Sequence, residues 1–98
     1  MNGLSALADP TRQRIVKMLA GGALSSGDIA SRFAMTAPAV SQHLKTLREA
    51  KLVKVRADAQ RRIYELDPEG VTEVAEWVND LRKFWASKLD ALEAELKK

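Results

Sequence analysis

Between Thr36 and Thr46 the sequence Thr-Ala-Pro-Ala-Val-Ser-Gln-His-Leu-Lys-Thr spaces its hydrogen-bonding side chains so that a helix would gather them on one side. At 100° per residue, Leu44 and Leu47 fall within about 40° of Val40, and the three form a buried stripe. Pro38, Gln42, Lys45, Thr46 and Glu49 fall opposite, Ala39 lies at the edge, and Ser41 and His43 flank the stripe. Short amide and hydroxyl groups near a helix N-terminus suit the reading of base edges in a major groove. Gln42 is the strongest candidate for a base contact, because its amide can pair with adenine. Thr36 and the helix N-terminus suit a phosphate. An amphipathic helix with a solvated face is the plain alternative.

A second cluster is cationic: Lys54, Arg56, Arg61 and Arg62 crowd two short alternating runs. Such a hairpin beside a groove-reading helix would meet the flanking backbone or minor groove. Protection of an edge strand by positive charge is the competing explanation. His43 is the one histidine and there is no cysteine, so thiolate sites and multi-histidine metal sites within one chain are excluded. His43 is expected to pack at the helix edge, hydrogen-bonded to a backbone group or a phosphate. Nucleophile–base pairs, glycine-rich phosphate loops and metal-ligand spacings are missing, so no catalytic residue, cofactor or metal is assigned and an enzyme is the least expected class.

These residues need elements to hold them. Asp9 caps a helix whose first turn carries Pro10, and Gly21-Gly22 ends it. Ser25 with Asp28 resembles a capping box for a short helix whose apolar face is Ile29, Ala30 and Phe33, ending near Ala34-Met35. Thr36 caps the third helix, with Pro38 in its first turn. Two short helices joined by a tight turn form a helix-turn-helix. Leu52 to Arg56 and Arg62 to Leu66 read as a hairpin. Its tip, Ala57 to Arg61, lacks the glycine that tight hairpins favour, so a longer, mobile loop is expected. Asp67-Pro68-Glu69 opens a final helix without a breaker from Val71 to Lys98. Val71, Val74, Val78, Leu81, Trp85, Leu89, Leu92 and Leu96 alternate steps of three and four along it, and Trp77 and Phe84 widen the face. One small domain has no room to cover so wide a stripe, and its natural cover is the same helix of a second chain. An aromatic ligand cage is the less expected use of Trp77, Phe84 and Trp85.

The 98 residues suffice for one domain. Eleven Lys and Arg face five Asp and Glu in residues 1–66, against five and eight in residues 67–98. A basic head with an acidic tail suits a polyanion partner and a different task for the tail. No apolar run approaches the ~20 residues of a membrane span and no leader-like stretch opens the chain, so a cytoplasmic location and no membrane contact are expected.

The stretches Leu7-Ala8-Asp9-Pro10-Thr11-Arg12 with Arg14-Ile15, Pro38 to Leu47, Ala50 to Val53, and Arg62 to Leu66 together resemble the ArsR/SmtB family of winged-helix repressors. That resemblance implies a mainly α fold with a small β-hairpin, a winged helix-turn-helix dimerising through its terminal helices. It divides the chain into a DNA-binding head, 1–66, and a dimerisation helix, 67–98. It implies a homodimer that binds a palindromic operator in double-stranded DNA and releases it to an inducer of unknown identity. The DNA-binding set is then Thr36, Pro38, Ala39, Ser41, Gln42, His43, Lys45, Thr46, Lys54, Arg56, Arg61 and Arg62. The dimer set is Leu4, Leu7, Val74, Trp77, Val78, Leu81, Phe84, Trp85, Leu89 and Leu92. The paired cysteines that family metal sensors often carry are replaced around Leu24 to Asp28, and the last helix has no histidine, which points to a metal-independent member. Lys51 stands where the family usually has glycine. An oxygen-ligand metal or small-molecule sensor, and a winged helix that binds another protein, are the two competing readings.

Overall fold

The computed structural model describes residues 2–97. In chain order it has helices α1 (Asn2–Ala6) and α2 (Pro10–Ala20), strand β1 (Leu24–Ser25), helices α3 (Ser26–Ala30) and α4 (Ala37–Glu49), strands β2 (Val53–Asp58) and β3 (Arg61–Leu66), and helix α5 (Pro68–Leu96). This is a mainly α winged helix-turn-helix, with α3 and α4 as the two helices of the motif.

Side-chain caps set most helix starts. Asp9 accepts from the Arg12 amide at 3.0 Å, Ser25 from the Asp28 amide at 3.1 Å, Thr36 from the Ala39 amide at 3.3 Å and Asp67 from the Glu69 amide at 3.0 Å. Each satisfies an amide that the helix leaves without a partner. Pro10, Pro38 and Pro68 sit in first turns, where a missing N–H costs nothing.

Three expectations are corrected. The hairpin is part of a three-stranded antiparallel sheet, in the order β1-β3-β2. Leu24 pairs with Tyr64 and Ser25 with Ile63, so two residues read only as the approach to a helix also form a strand. The hairpin tip is short: pairing runs from Val53 with Leu66 to Asp58 with Arg61, leaving only Ala59 and Gln60 to turn. Ala59 supplies the turn at φ 55°, a left-handed conformation that costs an alanine roughly 1–2 kcal/mol. The additional ladder pairs offset that cost. Finally, α3 ends at Ala30 rather than near Met35, and Phe33 lies in the turn after it.

The core gathers Ile15 and Leu19 of α2, Ile29 of α3, Val40, Leu44 and Leu47 of α4, and Leu52, Val53 and Tyr64 of the wing. The joint between α4 and the wing fixes how the head is assembled. The Lys51 amide donates to the Arg48 carbonyl and the Leu52 amide to the Leu47 carbonyl, both at 3.0 Å. That pair of bonds is a Schellman motif, with buried Leu47 against buried Leu52 as its apolar contact. It forces Lys51 to φ 60°, which explains why glycine is favoured there. The first turn of α5 docks on the same joint: the Gly70 amide donates to the Lys51 carbonyl at 2.9 Å. A Cβ at residue 70 would meet that oxygen at an impossible distance, so only glycine permits the approach.

Val71 and Val74 of α5 pack against the core, and α1 lies across α5. Beyond them the helix leaves the head, giving a molecule of 66 × 27 × 22 Å.

Candidate nucleic-acid interface

Helix α4 exposes Pro38, Ser41, Gln42 and Lys45, together with its cap Thr36. Pro38, Gln42 and Lys45 lie outward as expected, and Ser41, expected to flank the buried stripe, is exposed with them; the burial of Val40, Leu44 and Leu47 is what turns this face outward. Ala39, His43 and Thr46 are half-buried on one flank of the helix. Thr46 donates its hydroxyl to the Gln42 carbonyl at 3.1 Å, and it lines a hollow of ≈ 290 Å³ with Ser5, Ala6, Glu49 and Ala50. Its donor is therefore turned to the helix's own backbone.

His43 has a specific partner. The Nη1 of Arg12 donates to its Nδ1 at 3.2 Å, while the Nε of the same guanidinium donates to the Ala6 carbonyl at 2.6 Å. The partner of that ring nitrogen is an arginine from α2 rather than a backbone group. The Arg12 backbone amide also holds the Asp9 carboxyl below its ordinary range; desolvation opposes this, and the Thr11 amide and the Arg12 charge add to it.

In the wing, register separates the four cations. Opposed residues share a face and neighbours alternate, so Lys54, Arg56 and Arg61 lie on one face and Arg62, opposite Ala57, on the other. Arg56 approaches Glu65 at 3.8 Å and Arg61 approaches Asp28 at 3.5 Å, both as exposed pairs worth little in stability. Lys54 and Arg62 have no ion-pair partner among the described residues. The Arg61–Asp28 pair spans from the wing to α3, so wing and helix-turn-helix share one charged surface.

Sequence reasoning passed over the side chains that brace the motif. Arg14 lies over the Phe33 ring at 4.5 Å and reaches the Arg32 carbonyl at 3.4 Å, tying α2 to the turn before α4. Gln13 reaches the Leu7 carbonyl at 2.7 Å, so Arg12 and Gln13 satisfy two carbonyls at the end of α1. Exposed-looking polar residues on α2 gave no signal of these partners.

The residues expected at a dimer interface divide into two groups. Leu4 and Leu7 are half-buried, and Leu7 and Val74 pack against the chain's own core. Trp77, Val78, Leu81, Phe84, Trp85, Leu89 and Leu92 are uncovered, with Trp85 56% exposed and Leu89 60%. Phe84 and Trp85 meet edge to face at 5.8 Å.

A helix-turn-helix domain family matches residues 7–56. The transcriptional regulator Rv2034 of Mycobacterium tuberculosis is 46% identical over 84 residues, covering 86% of this chain and 76% of that protein. The transcriptional repressor SdpR of Bacillus subtilis is 32% identical over 77 residues, covering 79% and 86%. A crystal structure of a "possible transcriptional regulator for arsenical resistance" superposes with TM-score 0.78 at 37% identity, covering 97% and 96% of the two chains. A homodimeric winged helix-turn-helix DNA-binding domain from Mycobacterium bovis, described as a possible ArsR-family regulator, superposes at 0.69 with 27% identity, covering 84% and 76%. The chain belongs to the ArsR family.

It is therefore a DNA-binding transcription regulator, and α4 is the second helix of its helix-turn-helix. No helix of this ArsR-family chain is long and apolar enough, among the described residues, to cross a membrane.

Proposed function

We propose that this ArsR-family chain is a homodimeric, metal-independent repressor that reads an imperfect palindrome with α4 and binds rather than catalyses. The observation that carries the reading is the outward face of α4, where Ser41, Gln42 and Lys45 stand free beside a cationic wing. Thr36, Pro38 and Ala39 bring the helix N-terminus to the DNA backbone. Gln42 reads a base, Ser41 and Lys45 contact the groove walls, and His43 and Thr46 support one flank. Lys54, Arg56, Arg61 and Arg62 meet flanking phosphates.

Residues 1–66 form the DNA-binding head and 67–98 the dimerisation helix, with Leu4, Leu7 and Val74 at the root of the interface. The uncovered row from Trp77 to Leu92 takes the same helix of a second chain as its cover. Two-fold symmetry then sets the two α4 helices about 34 Å apart, one turn of DNA. An inducer of unknown identity releases the operator. The protein acts in the cytoplasm, where its operator lies.

Fluorescence anisotropy on DNA from upstream of its own gene, against scrambled DNA at near-physiological salt, tests this reading. Specific binding exceeds non-specific binding by ~10³ or more in such regulators. A gap of that size is the expected result. Equal, weak binding to many genomic fragments would move the reading to a winged helix that holds a protein partner.

A further inference from the structure

Arg12 touches three elements at once. Its backbone amide completes the Asp9 cap of α2, its Nε meets the carbonyl of Ala6 at the end of α1, and its Nη1 meets His43 of α4. Ala6 is 3% exposed, so its carbonyl has little access to water and the guanidinium is its cap. A guanidinium carries only donors, so the imidazole Nδ1 facing it must accept. An imidazole that accepts at Nδ1 carries its proton at Nε2.

We propose that Arg12 is a positioning residue for DNA recognition: it clamps α1 to α4 and fixes His43 as the Nε2–H tautomer. The clamp does two things. It holds the roll of α4 about its axis, because His43 is one residue from Gln42 and any rotation that moves Gln42 breaks the Arg12 contact. It also leaves His43 with a single free donor, Nε2–H, the group suited to a phosphate oxygen. Lysine is not an equivalent residue here. Its ammonium is a single point of donation on a flexible stem, and it cannot hold the Ala6 carbonyl and the imidazole in one planar fork. The functional half of this inference rests on the reading of α4 as the recognition helix; the tautomer does not.

The sequence has one histidine, so the imidazole nitrogens of the untagged, histidine-labelled protein give a nitrogen-15 spectrum with one assignment. The expected spectrum of the neutral ring has a protonated Nε2 and an unprotonated Nδ1. In R12K the two tautomers mix, and the ratio of operator to random-DNA affinity falls by about tenfold or more, while helicity and oligomeric state are unchanged. In H43N the side-chain oxygen can replace Nδ1 as acceptor but no Nε2–H remains. Its affinity falls about equally on all sequences and the ratio is kept. An Nδ1–H tautomer or a mixture in the unaltered protein overturns the clamp, whether or not any variant folds. A preserved affinity ratio in folded R12K overturns its role in recognition. Should R12K not fold, H43L takes its place: it removes the acceptor, and the same ratio must fall. If the unaltered protein has no preference for operator DNA, the recognition-helix reading fails, and the tautomer still decides the clamp.

Discussion

Gln42 and Arg62 represent two ways in which a side chain can matter to DNA binding. Gln42 stands on the outward face of α4, where an amide can make paired hydrogen bonds to a base edge, while Arg62, in the wing, is proposed to neutralise a flanking phosphate. Gln42→Ala is expected to remove about 1–3 kcal/mol of discrimination between operator and random DNA. Arg62→Ala is expected to weaken both equally and to make the salt dependence shallower by about one ion. Binding titrations at several salt concentrations distinguish the two. Equal losses on both DNAs for Gln42→Ala would remove its base-reading role. A different residue, Asp9, sets a pH response. Its folded carboxyl titrates below 3.8, mainly through the Arg12 amide. Because the folded value is depressed, its contribution is present above the ordinary value and is lost as pH falls through the folded one. Asp9→Asn keeps a cap without a charge, so the stability gap between the two proteins should be widest near neutrality and should narrow as the pH falls below the ordinary carboxylate range. Urea midpoints at both ends check this, and an unchanged gap would mean that Asp9 acts through capping alone.

The elements meet at one joint, the passage from α4 through Lys51 to the first turn of α5. Two backbone positions there favour glycine for different reasons. Lys51 is held at φ 60° by the Schellman bonds, a conformation that glycine adopts without steric cost. Lys51→Gly is therefore expected to stabilise by up to about 1 kcal/mol, reduced by the greater freedom glycine gives the unfolded chain. The Lys51–Glu69 contact at 3.9 Å is exposed and subtracts little. At Gly70 the backbone itself is the obstacle, since an added Cβ would meet the Lys51 carbonyl carbon at 2.6 Å and the Ala50 carbonyl oxygen at 2.9 Å. Gly70→Ala is expected to cost more than about 2 kcal/mol, and thermal melts of the two variants should move in opposite directions. A neutral Gly70→Ala would show that α5 can tilt away from the joint. The sequence announced the elements through Asp9, Ser25, Thr36 and Asp67, since a cap and the helix it opens are neighbours in the chain. It did not announce β1, because Leu24 and Ser25 become a strand only when Tyr64 and Ile63 arrive from some forty residues away.

For the whole molecule the distal half of α5 decides the behaviour in solution. Trp77, Val78, Leu81, Phe84 and Trp85 are between 38% and 56% exposed, on the stretch of α5 beyond the turns that pack against the head. A contiguous apolar face of that kind is a binding surface. Val78→Asp with Leu81→Asp places carboxylates in the row and is expected to give monomers, with the head still folded because Ile15, Leu44 and Leu52 are untouched. Sedimentation of the double variant checks this; an intact dimer would place the interface elsewhere. Monomers should also lose operator affinity, since each would hold one half-site alone.

The sequence by itself determined where α2, α3, α4 and α5 start, their caps, the buried stripe of α4 and the family, because these rest on local spacing and on residue types that act within one turn. Val40, Leu44 and Leu47 needed no partner to be recognised as one face. Only the tertiary structure decided how Arg12 is used, which wing cations share a face, how tightly the hairpin turns, and why residue 70 is glycine. Each of these depends on atoms distant in the chain: Arg12 on His43, Arg61 on Asp28, Gly70 on Lys51. A polar side chain has the same letter in the sequence whether it faces water or a buried carbonyl, and folding alone brings the partner that distinguishes the two.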